Sequence, residues 1–295
     1  TWTWNGRQWN AVVTEPHPTR RSFASVTWDD ERKNLVLFGG QTENSFSPQT
    51  WTFDGRRWEL RQTGVPPQRI NESMAWDPVR KNVVLVGGGF SDTYGDTWLW
   101  NGTSWRAFTG LGPTPRSRAN LVWDSGSQAL LLFGGTSKNG AALADSALFD
   151  GKKWTSVGGE QPAPRFDASM AADETRQQIV LHGGARSDGV SLGDTWIFGG
   201  GQWKQGPLIS QHRKAALRWD ERRKQLVLIG STFNSFDGAL VDGYAWDGSS
   251  WSRIFSQLSP TARSQTANAF DEERKELVVF GGYSTNFPTG DTWLW

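Results

Sequence analysis

Short apolar runs, each closing on glycine, punctuate an otherwise polar chain: Leu35 to Gly40, Val83 to Gly88, Leu130 to Gly135, Ile179 to Gly184, Leu226 to Gly230 and Leu277 to Gly282. Their first glycines, Gly39, Gly87, Gly134, Gly183, Gly230 and Gly281, stand 47 to 51 residues apart, so the chain is a repeat of nearly constant length. Consecutive apolar residues with no polar alternation predict a strand covered on both faces. A glycine pair at its end predicts close backbone approach and a sharp exit. Ahead of each run lies a polar turn, as in Asp29 to Lys33, and ahead of that a further strand, as over Ala24 to Trp28 and Ala119 to Trp123. After it come two aromatic positions seven apart, Trp51 and Trp58 or Trp98 and Trp105, enclosing Asp54-Gly55 or Asn101-Gly102. Such dipeptides tolerate positive φ and predict a tight hairpin with a primed turn. Each repeat therefore reads as four antiparallel strands, a to d.

The apolar run, the glycine pair and the two aromatics, as in Leu131 to Gly135 and Trp98 with Trp105, resemble the repeats of kelch β-propellers, the galactose oxidase central domain among them. The resemblance spans essentially all 295 residues. It implies an all-β fold, a kelch-type propeller of six blades of four antiparallel strands, as one domain over residues 1–295. Thr1 to Trp4 and Thr292 to Trp295 both fit strand c, so the ring is expected to close by pairing of its amino- and carboxy-terminal segments, which removes exposed edges.

Charge narrows the partners. With 31 basic and 30 acidic side chains, no global field favours nucleic acid or an anionic membrane. No apolar run is long enough to cross a bilayer, and the expectation is a soluble monomer, in a bacterial cytoplasm or secreted. Beginning inside a repeat at Thr1, the chain reads as one that has lost a leader or further domains. The absence of Cys excludes disulfides and thiolate metal sites. The 19 Trp are mainly architecture.

Strands a, b and c would bring the start of a, the end of b and the start of c to one face. The start of a carries Arg21, Arg69, Arg116, Arg165 and Arg263, with His212 in the fifth blade; the start of c carries Asp96, Asp145, Asp194, Asp242 and Asp291, with Gln49 as the exception. Two such rings predict blade-to-blade salt bridges, and the resemblance to kelch proteins that bind acidic peptides implies that Arg at this place can also line a ligand mouth. Two residues on, the repeats diverge, reading Phe23, Asn71, Arg118, Asp167, Lys214 and Gln265. A symmetric scaffold with one asymmetric position suits a ligand site. Glu72 stands where other blades have Ala or Thr, and His182 replaces the apolar residue before the glycine pair, with Asp167 as its expected partner. The loops joining b to c add Phe46, Phe90, Tyr94, Phe233, Phe236, Tyr283 and Phe287, rings that stack on sugars or hold peptide side chains.

These positions support a binding module recognising a peptide, a glycan or a small polar or acidic ligand, or another protein. One alternative is a metal-free isomerase, lyase or cyclase, with Glu72 and His182 exchanging protons and Arg118 and Lys214 stabilising negative charge. A third reading is a structural or interaction segment of a larger protein. Copper radical oxidases of the resembling family need a Cys-crosslinked Tyr, which this chain cannot form. Its three His, at 17, 182 and 212, make no multi-histidine metal site, and no cofactor is expected.

Overall fold

The computed structural model describes residues 1–231, 241–254, 267–271, 273–282 and 289–295. The strands begin with a two-stranded hairpin, β1 (Trp2–Trp4) and β2 (Trp9–Ala11). The first blade is β3 (Ser25–Asp29), β4 (Asn34–Phe38), β5 (Thr50–Phe53) and β6 (Trp58–Arg61); the second is β7 (Ser73–Asp77), β8 (Asn82–Val86), β9 (Thr97–Trp100) and β10 (Trp105–Ala107). The third is β11 (Asn120–Asp124), β12 (Ala129–Phe133), β13 (Ser146–Phe149) and β14 (Trp154–Ser156). The fourth comprises β15 (Ser169–Asp173), β16 (Gln178–His182), β17 (Asp194–Gly199) and β18 (Gln202–Leu208), and the fifth β19 (Ala216–Asp220), β20 (Gln225–Ser231), β21 (Val241–Trp246) and β22 (Trp251–Arg253). The sixth carries β23 (Ala267–Asp271), β24 (Glu276–Phe280) and β25 (Thr292–Leu294). Within each blade the strands pair antiparallel in chain order, and the fold is a six-bladed β-propeller. No helix among the described residues is long and apolar enough to cross a membrane.

The chain divides into two compact units: Thr1–Trp123 with Ala129–Ala141 and Ala147–Thr155, and Asp124–Gln128 with Ala142–Ser146 and Ser156–Trp295. In the first unit, β8 shows why the apolar run does not alternate. Val83 and Leu85 pack with Val36 and Phe38 of the first blade, whereas Val84 and Val86 pack with Leu121, Leu130 and Leu132 of the third. Both faces are therefore buried. In the second unit, Val180 joins Leu217, Leu226 and Leu228, while Ala216, Val227 and Ile229 pack with Leu277 and Val279.

The recurring Trp of strand d joins blades as well as filling hairpins. Trp105 Nε1 donates to Thr50 Oγ1 of the preceding blade at 2.8 Å, and Trp154 to Thr97 at 3.0 Å. Trp203 reaches Ser146 at 2.8 Å and Trp251 reaches Thr195 at 2.9 Å in the second unit. Trp58 finds Thr1 of the terminal hairpin at 2.7 Å, so that hairpin supplies the first blade with the same acceptor.

The c-to-d turns differ from the primed form expected. Phe53 pairs directly with Trp58, leaving a four-residue connection in which Gly55 alone has positive φ, at 92°. Asp54 Oδ1 instead accepts the backbone N–H groups of Arg56 and Arg57, both at 2.8 Å, closing the loop through its side chain. Only in the fourth blade, where Gly199 pairs with Gln202, do both central residues, Gly200 and Gly201, take positive φ.

Candidate functional site

Strand register brings the predicted face together. Ser25 pairs with Phe38 and Phe38 with Thr50, so strand a begins where b ends and c begins; Ser73, Val86 and Thr97 repeat this in the second blade. The predicted Arg and Asp residues meet at this end, but inside single blades rather than between them. Arg69 binds Asp96 of its own blade with two hydrogen bonds of 2.6 and 2.9 Å, and donates to the carbonyls of Gly87 and Pro67 at 2.8 and 3.0 Å. Arg165 repeats the arrangement with Asp194 at 2.6 and 2.7 Å, Gly183 and Ala163. Arg116 donates to the Gly134 and Thr114 carbonyls, both at 2.9 Å. These guanidiniums are buried struts. The reason is chain geometry: an Arg just before strand a is one strand away from the end of b and two from the start of c.

The joints between blades are made by backbone. Gly88 N–H donates to the Arg116 carbonyl at 2.8 Å, Gly40 to Arg69 at 3.1 Å and Gly184 to His212 at 2.8 Å. A Cβ at Gly87, whose φ is +66°, would lie 2.5 Å from that same Arg116 carbonyl. The glycine pair thus serves conformation and close approach at once. Ser25 and Ser73 add hydroxyl bonds to the next blade, to the carbonyls of Glu72 and Ala119, each at 2.7 Å.

The divergent position has a common backbone state that its side chains conceal. Phe23, Asn71, Arg118, Asp167 and Lys214 all have φ between 54° and 58°. Asn71 tolerates this region; for Phe, Arg and Lys it costs free energy and persists because the surroundings impose it. In the first unit Asn71 N–H donates to the Phe23 carbonyl at 3.2 Å, and Arg118 N–H to the Asn71 carbonyl at 2.9 Å. In the second, Lys214 N–H donates to the Asp167 carbonyl at 2.9 Å. Each bond links neighbouring blades, forming an arc of three positions in the first unit and a pair in the second, from which unlike side chains project. Phe23 is exposed, Asn71 and Arg118 are half-buried and Lys214 is exposed. Asp167 is engaged by Arg213 at 3.0 Å and Lys214 at 3.8 Å.

His182 has a different partner from the one expected. Its Nε2 lies 3.0 Å from His212 Nδ1 and its Nδ1 3.3 Å from Thr195 Oγ1, while Asp167 is occupied by Arg213. The two departures from the repeat in neighbouring blades, His for an apolar residue and His for Arg, thus form one buried pair. Burial, then the facing His212, pushes the His182 imidazole down to about 3, so it is neutral at physiological pH.

Glu72 belongs to the first unit and is 6% exposed. Oε1 accepts the Ser25 N–H at 3.2 Å; Oε2 is buried with no hydrogen-bond partner among the described residues. Burial pushes this carboxyl up to about 7, against the smaller pull of backbone donors and Arg69. A raised carboxyl contributes stability that is fully present below the ordinary Glu range and is lost as pH rises through about 7. Glu72→Gln is therefore expected to match the parent near pH 4 and exceed its stability above pH 8 by on the order of 3 kcal/mol. Urea unfolding across that range tests it; parallel pH profiles for the two proteins contradict it.

Of the loop aromatics, Phe90 is exposed and faces Phe46 with ring centroids 3.7 Å apart. Tyr94 instead lies under the Arg69 guanidinium, 4.3 Å from it, and supports the strut. Arg263, Gln265, Phe233, Phe236, Tyr283 and Phe287 lie outside the described residues. The positive-φ arc and the His pair escaped the sequence reading. Two substitutions at adjoining repeats were the available signal for the pair.

Among solved structures, that of YjhT matches with a TM-score of 0.68, covering 96% of this chain and 97% of its own. The identity is 13%, so the likeness is one of fold. No protein-family model matches the sequence, and no curated protein matches it.

Proposed function

We propose that this chain is a kelch-type binding module that recognises a peptide, a glycan or a small polar or acidic ligand where its strands a begin. The observation that carries this reading is the arc of the first unit. Backbone hydrogen bonds hold Phe23, Asn71 and Arg118 side by side in a conformation that favours none of their side chains except Asn. An aromatic ring, an amide and a guanidinium offer stacking, bidentate hydrogen bonding and charge to one ligand. Asp167 and Lys214 continue the pattern in the second unit.

Pentaglutamate is a suitable first probe. In calorimetry Arg118→Ala should weaken it by about tenfold or more, the usual worth of a charged hydrogen bond. Unchanged affinity in a folded variant counts decisively against this reading.

A second reading, a metal-free isomerase, lyase or cyclase, draws on Glu72, whose pKa near 7 suits proton exchange at neutral pH. His182 brings little to it, because its imidazole is neutral and bonded to His212. Glu72 Oε2 is also buried, and Oε1 is held by the Ser25 N–H, so neither oxygen is presented to a substrate in this structure. The binding reading therefore takes precedence. Full turnover by Glu72→Gln on an identified substrate would remove the enzymatic one.

A further inference from the structure

The first blade departs from the repeat at the start of strand c, and a cleft of about 760 Å³ lies there. It opens between residues 17–20, the loop 42–49 and Gln62, all in the first unit. That volume suits a small-molecule ligand.

The strut beside it is chemically unlike the others. Arg69 and Arg165 each have their charge cancelled by a carboxylate. Arg21 has Gln49 instead, and its acceptors are all neutral: the Thr19 carbonyl at 3.1 Å, Gly39 carbonyl at 3.0 Å, Thr19 Oγ1 and Ser47 Oγ at 3.3 Å, and Gln49 Oε1 at 3.0 Å. Gln49 Oε1 also accepts from Trp51 Nε1 at 3.1 Å and Ser47 Oγ at 3.4 Å. The amide oxygen is thus fully used, whereas its NH₂ has no acceptor among the described residues. Arg21 is half-buried where Arg69 and Arg165 are sealed, and burial lowers its pKa, the mark of a cation without a counter-charge.

The cleft wall supplies more unspent polarity. Arg20, Asn44 and Gln62 line it, all exposed and with no side-chain hydrogen bond or ion pair among the described residues. Glu43 is its one acidic lining residue, against the guanidiniums of Arg20 in the wall and Arg21 behind Gln49.

We infer that this cleft binds a small hydroxylated carboxylate. The ligand's carboxylate restores the negative charge that Gln49 omits from the first blade, next to Arg20, Arg21 and the Gln49 amide donors. Asn44 and Gln62 offer paired donors and acceptors for its hydroxyl groups. Phe46 provides an apolar side wall. The site is separate from the arc of Phe23, Asn71 and Arg118 and shares none of those residues.

The test titrates the protein with malate and, as a neutral counterpart, malamide, following side-chain amide and guanidinium resonances by NMR. Malate should bind in the millimolar range or tighter, shifting Gln49 and Arg20 signals, and malamide at least tenfold more weakly. Gln49→Asp gives the first blade the carboxylate that Asp96 and Asp194 supply elsewhere, so it should fold and lose malate affinity at least tenfold. Arg20→Ala should weaken malate similarly and decides the matter if the first variant is unstable. Equal binding of malate and malamide, undiminished malate affinity in both variants, or no malate binding in the millimolar range overturns the inference.

Discussion

Replacing Arg69 by Ala should destabilise the protein by about 3 kcal/mol, the low end of the cost of breaking a buried ion pair, because the Asp96 side chain left behind is 34% exposed. The guanidinium is fully buried and makes four hydrogen bonds within one blade, to Asp96 twice and to the Gly87 and Pro67 carbonyls. Without it, Asp96 keeps the Trp98 indole at 2.7 Å but loses its counter-charge. Burial pushes the Asp96 carboxyl up; Arg69 bonding and charge, with Trp98, outweigh this and leave it below the ordinary range. Its contribution is accordingly present above that range and lost as pH falls through the lowered value. Urea unfolding of Arg69→Ala near pH 7 should show the full loss, and the gap from the parent should narrow toward acid. Asp96→Asn should cost less, because Gln49 shows that an amide can take this place in the first blade. A loss below about 1 kcal/mol for Arg69→Ala would show that the strut is not what holds the blade.

The second large effect is expected at Trp105. Its ring is 4% exposed, lies 5.7 Å from Phe38 of the preceding blade and 5.5 Å from Trp100 of its own, and its N–H reaches Thr50. Trp105→Ala removes two blades' shared packing and should cost about 3–5 kcal/mol. Trp105→Phe keeps most of the volume and loses the 2.8 Å bond, leaving Thr50 Oγ1 without that donor, for about 1 kcal/mol. Thermal or urea unfolding of both variants separates packing from the hydrogen bond. Equal losses for Ala and Phe would assign the effect to the bond alone.

The sequence announced the fold through quantities that are local. Apolar runs, glycine pairs and aromatic spacing each lie within a dozen residues, and strands such as Ser25–Asp29 and Asn34–Phe38 fall within one residue of their expected places. The candidate positions were legible as a set at one end of the strands. What those positions do depends on partners in the neighbouring blade, from about half a repeat to a full repeat away, which no local pattern encodes. Trp105 and Thr50, Ser73 and Ala119, and Gly88 and Arg116 are such pairs. The Arg and Asp residues illustrate the limit: their presence at one end was inferable, but whether they bridge blades or brace a single blade was not. Backbone state was hidden too, since Phe23, Arg118 and Lys214 are poor advertisements for positive φ.

The arc of positive-φ residues bears on how such a molecule could change its ligand. Its members are joined through N–H and C=O groups, so the bonds between Phe23, Asn71 and Arg118 do not depend on what lies beyond Cβ. On the binding reading proposed above, a substitution at Phe23, Asn71 or Arg118 changes what is presented to a ligand while leaving the backbone bonds between blades in place. On that reading such a position is an interchangeable cassette: new specificities would be installed one blade at a time, by evolution or by design, with Asn or Gly as the cheapest starting residue.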